Sequence, residues 1–243
     1  MRRSLRGCLL TVVLIAPLVT SACGDKPTVF QPLTRGPLSV TTKDGVRIAA
    51  TVTGHGRRAV ILASMSAEDQ TSWTPLLIAA RDIPVTLITF DRRGVGASDG
   101  TADDSPFPDD HTGADVTAVY DLLRSHGYPA IGCIGASLGG TACYLIARRP
   151  GLAALGILAS NPPSGASTHY LDGLRYPKLF VVAKGDRELV WPVEHMAAGA
   201  PGPKRLLELD TDRHGTNIFV TPQARRLLDA LAALVREMSS SSP

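Results

Sequence analysis

Apolar and polar residues follow one another along the chain in short blocks that predict strands and helices in turn. The segments 38–42 and 46–53 predict a hairpin, because Lys43-Asp44-Gly45 between them suits a tight turn. Short, largely apolar runs predict six further strands, at 59–63, 85–90, 130–136, 153–159, 178–183 and 205–209. Helical segments are predicted between and after these strands, at 72–81, 114–125, 138–149 and 221–238.

This order of elements predicts an α/β domain over residues 38–238. A hairpin followed by repeated strand–helix units implies a mostly parallel sheet of about eight strands with helices on both faces. The sequence shows no internal repeat and no second core, and residues 239–243 are predicted to be a disordered tail. Because such sheets carry functional residues on loops at the carboxyl ends of their strands, we expect reactive side chains there.

One motif stands between a predicted strand and a predicted helix. Gly135-Ala136-Ser137-Leu138-Gly139 has the pattern G-x-S-x-G in the setting where it forms a sharp turn around a serine nucleophile. The turn lifts the Ser137 hydroxyl clear of the sheet. It also directs the Leu138 N–H, at a helix N-terminus, toward a developing oxyanion. A simple turn with a helix-starting serine would show the same letters, so the prediction depends on the flanking elements.

A serine hydroxyl needs a base to take its proton, and the base needs a carboxylate that orients it. Among the six histidines, His214 is the candidate base, because it follows the last predicted strand and precedes the final helix. Asp186 is the candidate acid, because it follows the strand predicted at 178–183. Glu188 lies close enough along the chain to remain a rival for that role.

From about residue 38 to 237 the chain resembles the α/β-hydrolase superfamily. Nucleophile, acid and base follow one another in that family's order. Residues 90–98, with the sequence FDRRGVGAS, are similar to its structural D-x-R-G-x-G-x-S loop, and residues 185–192 are similar to its acid loop. The resemblance implies serine hydrolysis without a cofactor, carried by a catalytic triad of Ser137, Asp186 and His214.

The resemblance also implies half of an oxyanion hole in the loop after the third strand. Where the family has H-G-x, this chain has Ser64-Met65-Ser66. The implied N–H donor is Ser66, or Met65 if the register differs by one residue. Replacing the glycine restricts the backbone but leaves an N–H available. Because one good oxyanion donor contributes about 10²–10³ in rate, this departure bears on the speed of the enzyme rather than on its chemistry.

The N-terminal segment has the pattern of an export signal. Arg2, Arg3 and Arg6 precede the uncharged, apolar run 8–19. That run is shorter than the roughly 20 residues that a membrane-spanning helix needs. A basic head, a short apolar centre and small residues before a cleavage point predict that residues 1–22 are a signal peptide.

Residues 18–23, with the sequence LVTSAC, are similar to a bacterial lipobox. The similarity implies lipidation at Cys23 and a membrane anchor on the outer face, although Thr20 stands where the family prefers an aliphatic residue. Cleavage after Ala22 without lipidation would instead give a soluble secreted protein. Residues 23–37, which contain several prolines and glycines, are predicted to be an extended tether.

Charge and composition narrow the choice of partners. The formal net charge of +3 comes from 25 basic and 22 acidic side chains, and the three signal-segment arginines account for all of it. A neutral mature chain gives no electrostatic reason to bind nucleic acid or anionic lipid, and at 5% aromatic residues stacking platforms are scarce. No metal-ligand spacing appears. Cys133 and Cys143 are expected as small core residues, and a disulfide between them stays open.

The substrate is indicated only by segment lengths. Residues 161–176 are too few for a large lid, so we expect an open site that favours small acyl groups. Residues 103–110 carry four aspartates, which either repel anionic substrates or simply form a solvated loop.

The primary hypothesis is therefore a carboxylesterase-like serine hydrolase acting on a small-molecule acyl substrate. A thioesterase or a peptidase would carry the same residues. The alternative hypothesis, from another class, is an exported lipoprotein that uses this fold to bind a ligand or a partner without turnover. Nothing in the sequence indicates an oligomeric state.

Overall fold

The computed structural model describes residues 29–66, 68–102, 111–166 and 169–240. The predicted signal peptide, Cys23 and the acidic loop lie outside these residues, as does the end of the predicted tail. Within the described ranges, no helix combines the length and apolarity that a bilayer-spanning segment requires.

The described strands form a single sheet, ordered β1-β2-β4-β3-β5-β6-β7-β8. The strands are β1 (Gly36–Thr41), β2 (Arg47–Gly54), β3 (Arg58–Ala63), β4 (Thr86–Phe90), β5 (Ala130–Ala136), β6 (Leu152–Leu158), β7 (Lys178–Ala183) and β8 (Lys204–Leu209). β2 is antiparallel to β1 and β4, and all other neighbours are parallel. The predicted fold class, a mostly parallel eight-stranded sheet, is confirmed.

Helices cover both faces of this sheet. They are α1 (Thr74–Ala79), α2 (Thr112–Ser125), α3 (Leu138–Leu145), α4 (Arg187–Gly199) and α5 (Ala224–Ser240). α1 and α5 pack on one face, and α2, α3 and α4 pack on the other. Burial on both faces explains why the central strands are continuously apolar rather than alternating.

The helices differ from their predictions in several places, of which three are instructive. The segment predicted as one helix at 72–81 is a 3-10 turn, Gln70–Trp73, followed by α1, because Pro75 suits the start of a helix. α3 is shorter than predicted and ends at Leu145. The bounds of α4 were not predicted, since Pro192 lies inside it and removes one backbone donor.

The parallel strands begin at one side of the sheet and end at the opposite side, and we call these two sides the amino edge and the carboxyl edge. The carboxyl edge is where β3 to β8 end, and the amino edge is where they begin. The described part of the predicted tether runs along the amino edge: Phe30 packs edge-to-face on Tyr128 with ring centroids 5.0 Å apart. The Gln31 N–H donates to the His126 carbonyl at 2.9 Å. From Phe30 onward, therefore, the segment is docked against the domain.

Candidate active site

Ser137 lies between β5 and α3 in a strained backbone conformation. Its φ of 51° and ψ of −123° are costly for a residue with a side chain, on the order of 1–3 kcal/mol. Two glycines permit the turn. A Cβ at Gly135 would lie 2.1 Å from the Gly139 carbonyl oxygen, and a Cβ at Gly139 would lie 2.2 Å from the Ala63 carbonyl oxygen. The turn leaves Ser137 partly exposed at the carboxyl edge.

The end of β6 braces this turn from the side. The Ser137 carbonyl accepts hydrogen bonds from the Ser160 hydroxyl at 2.6 Å and from the Gly140 N–H at 2.8 Å. Ser160 is buried, and Ala159 beside it also has a positive φ, of 46°. No motif in the sequence marks Ser160, and its place at the end of a strand is the one signal that could have drawn attention to it.

A disulfide closes the same turn covalently. Cys133 in β5 and Cys143 in α3 are bonded, with their Cα atoms 5.5 Å apart and a separation of ten positions along the chain. Both side chains are fully buried, as expected for core residues. The question of pairing that the sequence left open is resolved in favour of a disulfide, and the ring that it closes contains Ser137.

His214 and Asp186 meet beyond the ends of β7 and β8. His214 Nδ1 lies 2.7 Å from Asp186 Oδ2, and the two side chains are 37% and 15% exposed. A carboxylate at Nδ1 favours the tautomer that leaves the Nε2 lone pair available as a base. This contact is made by Asp186, whereas the rival Glu188 is exposed in the first turn of α4.

The loop that carries His214 packs directly against the turn that carries Ser137. A Cβ at Gly215 would lie 3.3 Å from the Ala136 Cβ and 2.2 Å from the Met65 sulfur. Glycine is needed there for a second reason, because its φ is 52°. The structure therefore brings the candidate nucleophile, base and acid onto neighbouring loops of the carboxyl edge.

The candidate oxyanion donors come from the Ser137 turn itself and from the loop that follows β3. Leu138 is the first residue of α3, so its N–H has no acceptor within the helix. The Ser66 carbonyl accepts two hydrogen bonds from the buried Arg92 guanidinium, one of them from Nε at 2.8 Å. Arg92 thereby holds the loop that carries both Ser66 and the buried Met65.

Ser64, which stands where the family has histidine, is used within its own loop. Its hydroxyl donates to the Asp69 carbonyl at 3.1 Å and accepts from the Ser72 hydroxyl at 3.3 Å. A further contact joins this loop to the base loop, because the Thr216 hydroxyl donates to Glu68 Oε2 at 2.6 Å. The two residues are 148 positions apart, so no local pattern could have predicted their contact.

The loop 90–98 holds its neighbours through consecutive side chains, as its predicted structural role requires. Asp91 accepts backbone N–H bonds from Gln70 at 2.8 Å and Ala97 at 2.9 Å. The buried Arg93 binds Asp44 at 2.7 Å, and this hydrogen bond holds the pKa of Asp44 well below its usual range.

Comparisons with known proteins agree with this architecture. A family model described as alpha/beta hydrolase fold matches residues 68–179. A solved esterase of Pyrococcus furiosus superposes with a TM-score of 0.65 at 16% identity, over 86% of this chain and 98% of that chain. The chain has the α/β-hydrolase fold.

Other solved structures with the α/β-hydrolase fold give the same result. A thermophilic esterase from Thermogutta terrifontis has a TM-score of 0.65 at 17% identity, covering 83% of this chain and 98% of that chain. An enol-lactonase from Burkholderia xenovorans has a TM-score of 0.65 at 14% identity, covering 84% of this chain and 100% of that chain. Curated protein sequences include no significant match to this chain.

Proposed function

We propose that the protein is a serine hydrolase that cleaves a carboxylic ester or a related acyl bond. The observation that carries the proposal is the strained Ser137 turn packed against a loop whose histidine is held by Asp186 at 2.7 Å. Esterases and an enol-lactonase with the same fold support this reaction class. The oriented His214 and the braced turn also favour catalysis over ligand binding without turnover.

In the proposed mechanism the Ser137 oxygen attacks the acyl carbon while His214 Nε2 takes the hydroxyl proton. Asp186 stabilises the imidazolium that forms, and the N–H groups of Leu138 and Ser66 bind the oxyanion. The bond to the leaving alcohol then breaks, and His214 returns the proton to that alcohol. Water next attacks the acyl-enzyme with His214 as base, which releases the acid and restores the Ser137 hydroxyl.

We propose an open site for small acyl groups, because the described residues between β6 and β7 form turns that pack on α3. The Tyr170 ring stacks on Tyr144 at 5.2 Å, and its hydroxyl donates to the Leu145 carbonyl at 2.6 Å. The Tyr176 hydroxyl makes the same kind of bond to Ala147 at 2.6 Å. These contacts hold the segment against the domain and away from a lid position.

A fluorophosphonate probe tests the nucleophile. Wild-type protein is expected to be labelled, Ser137→Ala is expected to resist labelling, and Ser164→Ala, an exposed serine on a neighbouring loop, is expected to label like wild type. Absence of labelling in the wild type, with retained binding of a ligand, would favour the non-catalytic alternative. Labelling of Ser137→Ala would place the nucleophile elsewhere.

A series of p-nitrophenyl esters tests the open site. We expect kcat/KM to be highest for short acyl chains and to fall as the chain lengthens. A clear preference for long chains would show that a hydrophobic channel exists, and it would contradict the proposal for small acyl groups while leaving the nucleophile assignment intact.

We further propose export and lipidation at Cys23. The Cys133–Cys143 disulfide supports export, because disulfides persist in oxidising compartments and are rare in reducing ones. Metabolic labelling with palmitate is expected to mark wild-type protein and Cys8→Ser, and to leave Cys23→Ser unlabelled. A soluble, unlabelled wild-type protein would favour simple secretion.

A further inference from the structure

The neutral net charge of the predicted mature chain conceals an uneven distribution. Basic residues lie in or beside the connections of the amino edge, namely Arg57, Arg58, Arg81, Arg124, Arg148, Arg149, Arg175 and Lys204. The carboxylates near these residues already have partners: Asp82 pairs with Arg81, Asp121 pairs with Arg149, and Asp172 contacts His169. We call this surface the basic face.

We propose that the basic face binds the anionic surface of a phospholipid bilayer. Arg57 and Arg175 are exposed and make no ion pair with any described residue. Several other basic side chains there bind only backbone carbonyls: Arg148 contacts the Tyr170 carbonyl at 2.8 Å, and Lys204 contacts the Ala198 carbonyl at 2.8 Å. Their charges are therefore not neutralised by a carboxylate of the described residues and are available to lipid phosphates.

The basic face also contains a groove. It has a volume of about 780 Å³ and crosses the starts of β3, β5 and β6. Its lining combines two arginines with apolar and aromatic residues, namely Arg57, Arg58, Pro84, Pro129, Leu152 and Tyr176. A phospholipid headgroup offers the complement, because its phosphate is anionic and its glycerol and first methylenes are apolar.

The tether directs the basic face toward the bilayer. Arg57 lies over the Phe30 ring at 4.5 Å, and the Leu33 N–H donates to the Tyr128 hydroxyl at 3.1 Å. The segment is thus docked on the amino edge from Phe30 onward. With the proposed anchor at Cys23, the free length up to Phe30 is at most about 25 Å, so the basic face is held near the headgroups. Ser137, on the opposite edge, then faces the aqueous side.

Vesicle binding tests the proposal without the lipid anchor. The mature chain, residues 23–243 with Cys23→Ser, is mixed with vesicles of phosphatidylcholine alone or with added phosphatidylglycerol. We expect binding only to the anionic vesicles and weakening with added salt. Arg57→Glu/Arg175→Glu should lower that affinity by about tenfold or more. The control Arg225→Glu/Arg226→Glu has the same net charge but lies at the start of α5, near the carboxyl edge.

The control is expected to bind within about twofold of the unsubstituted chain, since its charges lie away from the basic face. Equal losses in both double variants would show that only net charge matters and would overturn the proposal. Equal binding to neutral vesicles, or binding to duplex DNA without binding to vesicles, would overturn it as well. Circular dichroism confirms folding, and none of these readouts depends on the proposed hydrolase activity.

Discussion

The carboxyl and amino edges of the sheet differ in how their polar side chains are held. Around Ser137 the polar groups have defined protein partners, as in the bonds of Arg92 to Ser66 and of Ser160 to Ser137. On the basic face, Arg57 and Arg175 are exposed without a carboxylate partner among the described residues. A reaction needs groups fixed in advance at one geometry, whereas attraction to a broad anionic surface needs only charge.

The prediction with the largest expected effect compares the two candidate acids at the carboxyl edge. Asp186→Asn should lower kcat by about 10³–10⁴-fold, because an amide cannot stabilise the imidazolium or hold the required tautomer. Glu188→Gln, the matched change on the neighbouring exposed carboxylate, should leave kcat within about twofold. Steady-state kinetics on a short ester measures both. A large loss in Glu188→Gln with a small one in Asp186→Asn would reverse the assignment.

The disulfide that closes the Ser137 turn should contribute to the free energy of unfolding. Cys133→Ala/Cys143→Ala is expected to lower the free energy of unfolding by about 2–3 kcal/mol, because the unfolded chain regains the entropy of a ten-residue loop. Guanidinium unfolding with and without dithiothreitol measures this. The reductant should lower the wild-type midpoint and leave that of the double variant unchanged. An equal response of both proteins would mean that the bridge does not stabilise the fold.

Substitution of Arg92 tests whether the proposed oxyanion loop depends on the hydrogen bonds that Arg92 donates to it. Arg92→Ala should lower kcat by about 10–100-fold with little change in KM, because Ser66 loses both bonds that hold its carbonyl. Arg92→Lys should recover part of the loss. Arg81→Ala, an exposed arginine at the amino edge, is the control. A rise in KM at constant kcat would show that Arg92 supports substrate binding rather than the geometry of the oxyanion loop.

The sequence predicted most of the fold because strands that are buried on both faces form continuous apolar runs, which are easy to recognise. β5 and β7 match their predicted bounds, since each is a continuous apolar run that ends at small or polar residues. The bounds of α4 were not predicted because Pro192 interrupts its pattern and because its start overlaps the residues that indicated an acid loop. Helix ends were the other errors, since turns at both ends continue the same apolar spacing.

The candidate site was less predictable than the fold, for a physical reason. A motif can indicate Ser137 because the turn imposes its requirement on adjacent residues. The bond between Glu68 and Thr216 depends on how two distant loops pack. Which charged residues share one edge of the sheet depends on the direction of the strands. Net charge, which is a sum over the chain, therefore gave no indication of the basic face.

The smallest expected effect concerns a cation of the amino edge that is buried rather than exposed. Lys178 is 1% exposed, and its ammonium donates to the carbonyls of Leu174 at 2.8 Å and Tyr176 at 2.9 Å. Burial lowers the pKa of Lys178 to about 8. Above that pH the unfolded chain keeps a proton that the folded protein has lost, so the free energy of unfolding should rise with pH.

The rise should amount to about 1–2 kcal/mol between pH 8 and 10, since one proton contributes at most about 1.4 kcal/mol per pH unit. Chemical unfolding at each pH measures it. Lys178→Met should lack the rise, whereas the exposed Lys204→Met should keep it. An unchanged slope in Lys178→Met would assign the effect to another group. Because the Lys178 charge is buried, Lys178→Met should bind anionic vesicles as well as the unsubstituted chain does. Lys178 would then affect the free energy of unfolding alone, whereas Arg57 and Arg175 affect vesicle binding.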